Sequence, residues 1–326
     1  MDPHRPFPRR GGHGPTNTAA TRKGIMSSAS SPRHEITSRS PGSCSPPLIL
    51  QGMKEARRPT GPVVGLLVAG LAMLGQFVFL PLLMVDDTPP QSMIAQLGLT
   101  VPFLGWALAL LAWVKFKEKR SIRSVGLTAG AFRGLLVGSL VGFGMTAIVV
   151  AVNLIAGTAT LGSFSWGALG GVLIVLVGFA IQSSTEEIVF RGYLSQALAR
   201  WGAPAAFLLQ AVVFSALHSS NGGATFVTVL NLFLFATFLA AWTYVTGNLW
   251  AACAWHTVWN WAQGNIWGAA VSNNPFATRM AHYSTVDGSP SWLTGGGFGF
   301  EGSVVATVMF AAATVYLLVR HRRARS

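Results

Sequence analysis

Eight long apolar blocks separated by short polar turns leave this chain few folds. The blocks run at about 61–85, 94–114, 132–156, 167–201, 204–218, 225–245, 249–268 and 303–319. About 20 apolar residues in a helix cross a bilayer. A backbone in lipid must also satisfy its own hydrogen bonds, which an α-helix does within one segment. The expected fold is therefore an all-α polytopic membrane protein with about eight transmembrane helices. Composition agrees, with 51% hydrophobic and 10% charged residues and a mean hydropathy of +0.49.

The formal net charge of +13 raises the question of a nucleic-acid partner. The positions of the basic residues answer it. Ten of the 23 Lys and Arg lie in residues 1–60, five in 115–123 and four in 320–325, so they flank apolar blocks. That is the pattern of basic cytoplasmic loops, and it predicts a lipid partner and no nucleic acid. The cluster Lys115-Phe116-Lys117-Glu118-Lys119-Arg120 places the end of the second block in the cytoplasm. Eight crossings then put both termini and every basic cluster on that side, as in a multi-pass protein of the plasma membrane. Cys44 and Cys253, far apart, offer neither a disulfide framework nor a CxxC metal motif.

Residues 1–60 are rich in Pro, Gly, Ser, Thr and Arg and are expected to be a disordered basic tail, with Met1, Met26 and Met53 as alternative starts. The membrane domain is expected over 61–320 and a basic cytoplasmic end over 321–326. The first block should stop at Asp86-Asp87-Thr88-Pro89-Pro90. The third carries Gly134, Gly138, Gly142 and Gly144, and small residues at four-residue spacing permit close helix packing in lipid. Residues 271–300 read as a Gly-, Asn- and Ser-rich loop.

Against this apolar background, Glu186-Glu187-Ile188-Val189-Phe190-Arg191 stands out. Ionisable groups at membrane depth cost several kcal/mol unless paired or facing a wet cavity. On an α-helix Glu187 and Arg191 share a face and can pair. Glu186, about 100° around the helix, points elsewhere. Two further polar points follow: Phe214 with His218, and His256 with Asn260, each pair one turn apart. Each alone has a plainer reading, as a structural ion pair, a packed histidine or a bridging amide; the conjunction is what points to chemistry. A carboxylate, two imidazoles and an amide suit peptide hydrolysis, with Glu186 as general base, His256 or His218 positioning water or protonating the leaving amine, and Asn260 donating to the oxyanion. Alternatively Glu186, His218 and His256 ligate one Zn²⁺ that keeps an open water position. A small-molecule transporter would also use buried charges, but no internal repeat pairs blocks one to four with five to eight.

The ordered triplet Glu186-Glu187-x-x-x-Arg191, Phe214-x-x-x-His218 and His256-x-x-x-Asn260 in an eight-span helical protein resembles the CPBP family. That family contains the type II CAAX prenyl endopeptidases and bacterial bacteriocin-processing and self-immunity membrane proteins. The resemblance implies an intramembrane endopeptidase whose catalytic core occupies spans four to seven, about 165–270. It implies that Glu186 activates water between His218 and His256, that Asn260 stabilises the oxyanion, and that Glu187, Arg191 and Phe214 support the site. Its substrate would be a membrane-associated protein or peptide, and its chemistry either glutamate-dependent or metal-assisted. A non-catalytic immunity or binding protein on the same scaffold is the alternative.

Overall fold

A computed structural model describes residues 47–78 and 92–323. The expected tail over residues 1–46 and the stop at Asp86 to Pro90 fall outside the described residues. Eight long helical segments occupy the places of the eight blocks. They are α1 (Pro62–Val78), α2 (Met93–Lys117), α3 (Ala131–Ile155), α4 (Trp166–Trp201), α5 (Ala203–Ser219), α6 (Phe226–Thr246), α7 (Trp250–Trp261) and α8 (Val304–Arg323). Among the described residues, α2, α3, α4, α6 and α8 are long and apolar enough to cross a membrane, and α1 and α5 are apolar but shorter. Phe132, Ile155, Phe226 and Val308 stand exposed on these helices, as outward faces that meet lipid require. The chain is an all-α integral membrane protein.

Two departures from the expected architecture matter. Residues 48–55, assigned to the tail, form a 3₁₀ helix in which Ile49, Leu50 and Met53 are buried. The run Leu48-Ile49-Leu50 is too short to register as a membrane block, yet each such side chain gains about 1.5–3 kcal/mol on burial. The Ile49 carbonyl is also held by Gln196 Nε2 at 2.9 Å. The loop at 271–300 is likewise built. Its strand β2 (Tyr283–Thr285) pairs antiparallel with β1 (Ala159–Leu161), and a short helix spans Ser291–Thr294.

Three of the helices change pitch. Wider π turns occupy Trp113–Lys117 in α2, Ile188–Leu194 in α4 and Ala262–Trp267 directly after α7. Such turns recur at functional sites because the extra residue re-aims the side chains beside it. The second follows directly on Glu187, and the third begins two residues after Asn260.

The glycine spacing in α3 does what it predicts. Gly134, Gly138 and Gly142 face α7, where a Cβ at Gly138 would overlap the Ala251 carbonyl oxygen and one at Gly142 would lie 2.8 Å from that of Trp255. Gly144, off this stripe, has nothing within 4 Å. On its other flank α7 meets an aromatic core: Trp255 stacks on Trp259 at 5.1 Å, and Phe235, Phe238 and Phe310 pack edge-on around them. The helix carrying His256 and Asn260 is thereby clamped from two sides.

Candidate active site

Glu186 and Glu187 lie mid-way along α4, at the last α-helical residues before its π stretch. Both are buried. Glu187 Oε1 accepts from Arg191 Nη1 at 2.9 Å, the pair that their spacing predicts. The same oxygen meets His256 Nδ1 at 2.8 Å, a contact that spacing within one helix could not reveal. An ionised carboxylate only accepts, so Nδ1 of His256 carries a proton and Nε2 is turned toward Glu186.

His218 reaches the same point by a different route. The helix α5 is shorter than α4, and this brings its last turn, with His218, level with the middle of α4. The Phe214 carbonyl, also acceptor only, takes the Nδ1 proton at 2.9 Å. Nε2 of His218 then lies 3.5 Å from Glu186 Oε2, and Nε2 of His256 lies 3.9 Å from the same atom. Both distances exceed a normal hydrogen bond, and Glu186 Oε2 has no hydrogen-bond partner among the described residues. A buried carboxylate oxygen is thus left open between two ring nitrogens whose other nitrogens are already held.

Phe214 is the plate that joins the parts. Its ring stacks on His218 at 4.2 Å, and the Arg191 guanidinium sits 4.4 Å from its centroid. Charge held over an aromatic face lowers the cost of burying Arg191, whose Nε and Nη2 find no acceptor.

Glu186, His218, His256 and Asn260 all line one cavity of about 350 Å³. Asn260, one turn beyond His256, makes no side-chain hydrogen bond to a described residue, so its amide is free within the cavity. Met73, Leu99, Phe103, Trp106 and Phe179 form an apolar wall, while Ser272, Asn274 and Glu301 come from the segment after α7.

Two polar residues of this site escaped the sequence reading. Gln182 donates to Glu186 Oε1 at 3.4 Å; it lies one turn before Glu186, so its spacing was a usable signal. Glu301 is buried against the cavity and accepts from Trp259 Nε1 at 2.8 Å and Gln263 Nε2 at 2.9 Å. Burial pushes its carboxyl above the usual carboxylate range, and these two bonds partly offset the shift. No signal marked it, because it is one acid in a Gly- and Phe-rich loop.

Among the described residues, no group of three or more His, Cys, Asp or Glu is arranged to hold a metal ion. The set Glu186, His218 and His256 therefore gains no support as a zinc site.

Residues 168–262 match the family model described as type II CAAX prenyl endopeptidase Rce1-like. The matched segment is less than a third of the chain and holds all seven motif residues, from Glu186 to Asn260. It bears out the resemblance to the CPBP family and supports protease chemistry in a membrane protein. No curated protein and no solved structure matches the chain significantly.

Proposed function

We propose that this protein is an intramembrane endopeptidase in which Glu186 activates the hydrolytic water. The observation that carries the reading is the open Glu186 Oε2, buried and faced by Nε2 of His218 and of His256 in a cavity that also holds the Asn260 amide. A water within hydrogen-bond reach of Oε2 and the two ring nitrogens would be held for attack. Glu186 takes its proton, and the water oxygen adds to the scissile carbonyl carbon. The oxyanion that forms accepts from Asn260 Nδ2. As the C–N bond breaks, the proton on Glu186 passes through His218 Nε2 to the leaving nitrogen, giving a carboxylic acid and an amine.

The roles of the two histidines follow from their supports. Glu187 anchors His256, which suits it to holding the water, whereas the His218 side chain is 21% exposed and can meet the leaving group. Glu187 and Arg191 neutralise each other beneath the site. The apolar wall suits a membrane-associated protein or peptide whose cleaved segment enters from the bilayer. In this reading both termini are cytoplasmic and the protein sits in the plasma membrane, which the basic clusters flanking the apolar blocks support.

The test is cleavage of two internally quenched probes in proteoliposomes: a farnesylated peptide ending in a CAAX sequence, and an unlipidated single-span peptide. Wild-type protein is expected to cleave at least one probe, and Glu186→Gln to lose cleavage while staying folded. Full cleavage by Glu186→Gln would remove Glu186 as the base. Activity that vanishes with EDTA and returns with Zn²⁺ would replace this mechanism with the metal-assisted one.

A further inference from the structure

Glu301 reaches the cavity from outside the segment that matches the protease family, and its surroundings show why a carboxylate is there. Its two oxygens are not interchangeable contacts on a random surface. Oε1 accepts from Trp259 and Oε2 from Gln263, residues one turn apart on the same helical face, and Asn260 belongs to that turn. Gln263 sits at the passage from α to π pitch after α7, where Gln263 Nε2 also holds the Ala270 carbonyl at 2.6 Å. On the other side the Glu301 carbonyl accepts from Asn231 Nδ2 at 2.8 Å, and Asn231 also holds the Ser303 carbonyl and the Thr307 hydroxyl. Asn231 is followed on α6 by Leu232 and Phe235, which line the cavity. Glu301 thus ties the wall of α6 and the start of α8 to the turn that carries Asn260.

An apolar side chain in this place would leave the buried Trp259 indole N–H without its acceptor and would release the Gln263 amide from Oε2. What an apolar residue cannot do is hold two donors, Trp259 Nε1 and Gln263 Nε2, on the turn that carries Asn260. We infer that Glu301 is a positioning residue of the protease site, which sets the rotation of the α7 turn so that the Asn260 amide meets the oxyanion. The inference rests on the endopeptidase reading. An amide that acts on the oxyanion works only in the transition state, so its misplacement lowers kcat and leaves KM alone.

The experiment compares wild type, Glu301→Leu, Glu301→Gln and Trp259→Phe in proteoliposomes with the same two quenched probes, with thermal unfolding as the control for folding. Glu301→Leu is expected to lower kcat about tenfold to a hundredfold with KM within about twofold of wild type. Glu301→Gln, which keeps an acceptor for Trp259 Nε1, is expected to recover kcat to within about threefold of wild type. A folded Glu301→Leu protein with wild-type kcat, or with raised KM and unchanged kcat, overturns the inference. Should Glu301→Leu fail to fold, Trp259→Phe decides: a fall in kcat of about threefold or more supports the role, and wild-type kcat overturns it. Wild-type protein that cleaves neither probe refutes the protease reading. Hydrogen exchange across 256–263 in Glu301→Leu, or in Trp259→Phe where Glu301→Leu does not fold, then judges the positioning claim by itself, since faster exchange there than in wild type and Glu301→Gln supports it and unchanged protection sinks it.

Discussion

Among the described residues, two Arg–Glu ion pairs are closed off from solvent, and they sit in different surroundings. Arg191 pairs with Glu187 at 2.9 Å, and Arg120 pairs with Glu118 at 2.6 Å. Each leaves buried nitrogen and oxygen atoms without partners, Glu187 Oε2 and Arg191 Nη2 in one and Glu118 Oε1 and Arg120 Nη2 in the other. Both pairs also bear on α4, the first directly and the second through Gln196. The difference lies in the third partner. The oxygen of Glu187 that binds Arg191 also orients His256 into a cavity. Arg120 instead grips Ser124 and Gln196, and Gln196 holds the Ile49 and Ser124 carbonyls. That network fastens the N-terminal 3₁₀ helix to the end of α4 and lies outside the lining of the cavity at Glu186. Burial and pairing therefore do not mark function; aiming a third group into open space does.

The contrast can be broken by substitution. The largest effect is expected at Glu186→Gln, which should lower cleavage of the quenched probes about 10³-fold or more with unfolding temperature unchanged, measured by single-turnover assay and thermal scanning. Next is Glu187→Ala, which strands Arg191 and releases His256. It should destabilise the protein by about 3–5 kcal/mol and lower activity as well, so a stable and fully active variant would refute the support role of Glu187. Glu118→Ala is expected to cost a similar amount of stability, about 3–5 kcal/mol, while kcat of the folded fraction stays at the wild-type value. A fall in kcat there would erase the distinction between the two pairs. A smaller loss is expected for Gln196→Leu, about 1–3 kcal/mol for the buried carbonyls left unpaired, read as a lower unfolding temperature. The smallest contrast tests the clamp on α7: Gly138→Ala should cost about 1–3 kcal/mol by overpacking, whereas Gly144→Ala should stay within about 0.5 kcal/mol of wild type.

Much of the fold was legible because lipid leaves a chain little freedom. The positions of the eight helical segments follow from hydropathy, and the contact of α3 with α7 follows from glycines at four-residue spacing. Within α4, the pairing of Glu187 with Arg191 follows from helical periodicity, and Gln182 could have been added on the same ground. What could not be read was whatever depends on two segments distant in the chain. His256 bonding to Glu187 joins residues 69 positions apart, and Trp259 bonding to Glu301 joins residues 42 apart. The segment 48–55 was misread because three apolar residues anchor a terminus only when a complementary surface exists elsewhere. The π turns were also illegible, since a widened turn is set by packing against neighbours and leaves no periodic trace in one strand of sequence.

The amino-acid sequence alone determined that this is a helical membrane protein and that, beside Glu186, its motif residues fall in three ordered pairs of helical positions, Glu187 with Arg191, Phe214 with His218 and His256 with Asn260. It did so because burial in lipid and one-turn spacing are local properties, fixed by each segment without its neighbours. Only the tertiary structure decided that His218 and His256 converge on one oxygen of Glu186, that Glu187 serves both Arg191 and His256, and that Glu301 joins them from a distant loop. Convergence depends on how far each helix slides and rotates against the next, which is set by the sum of packing contacts between segments.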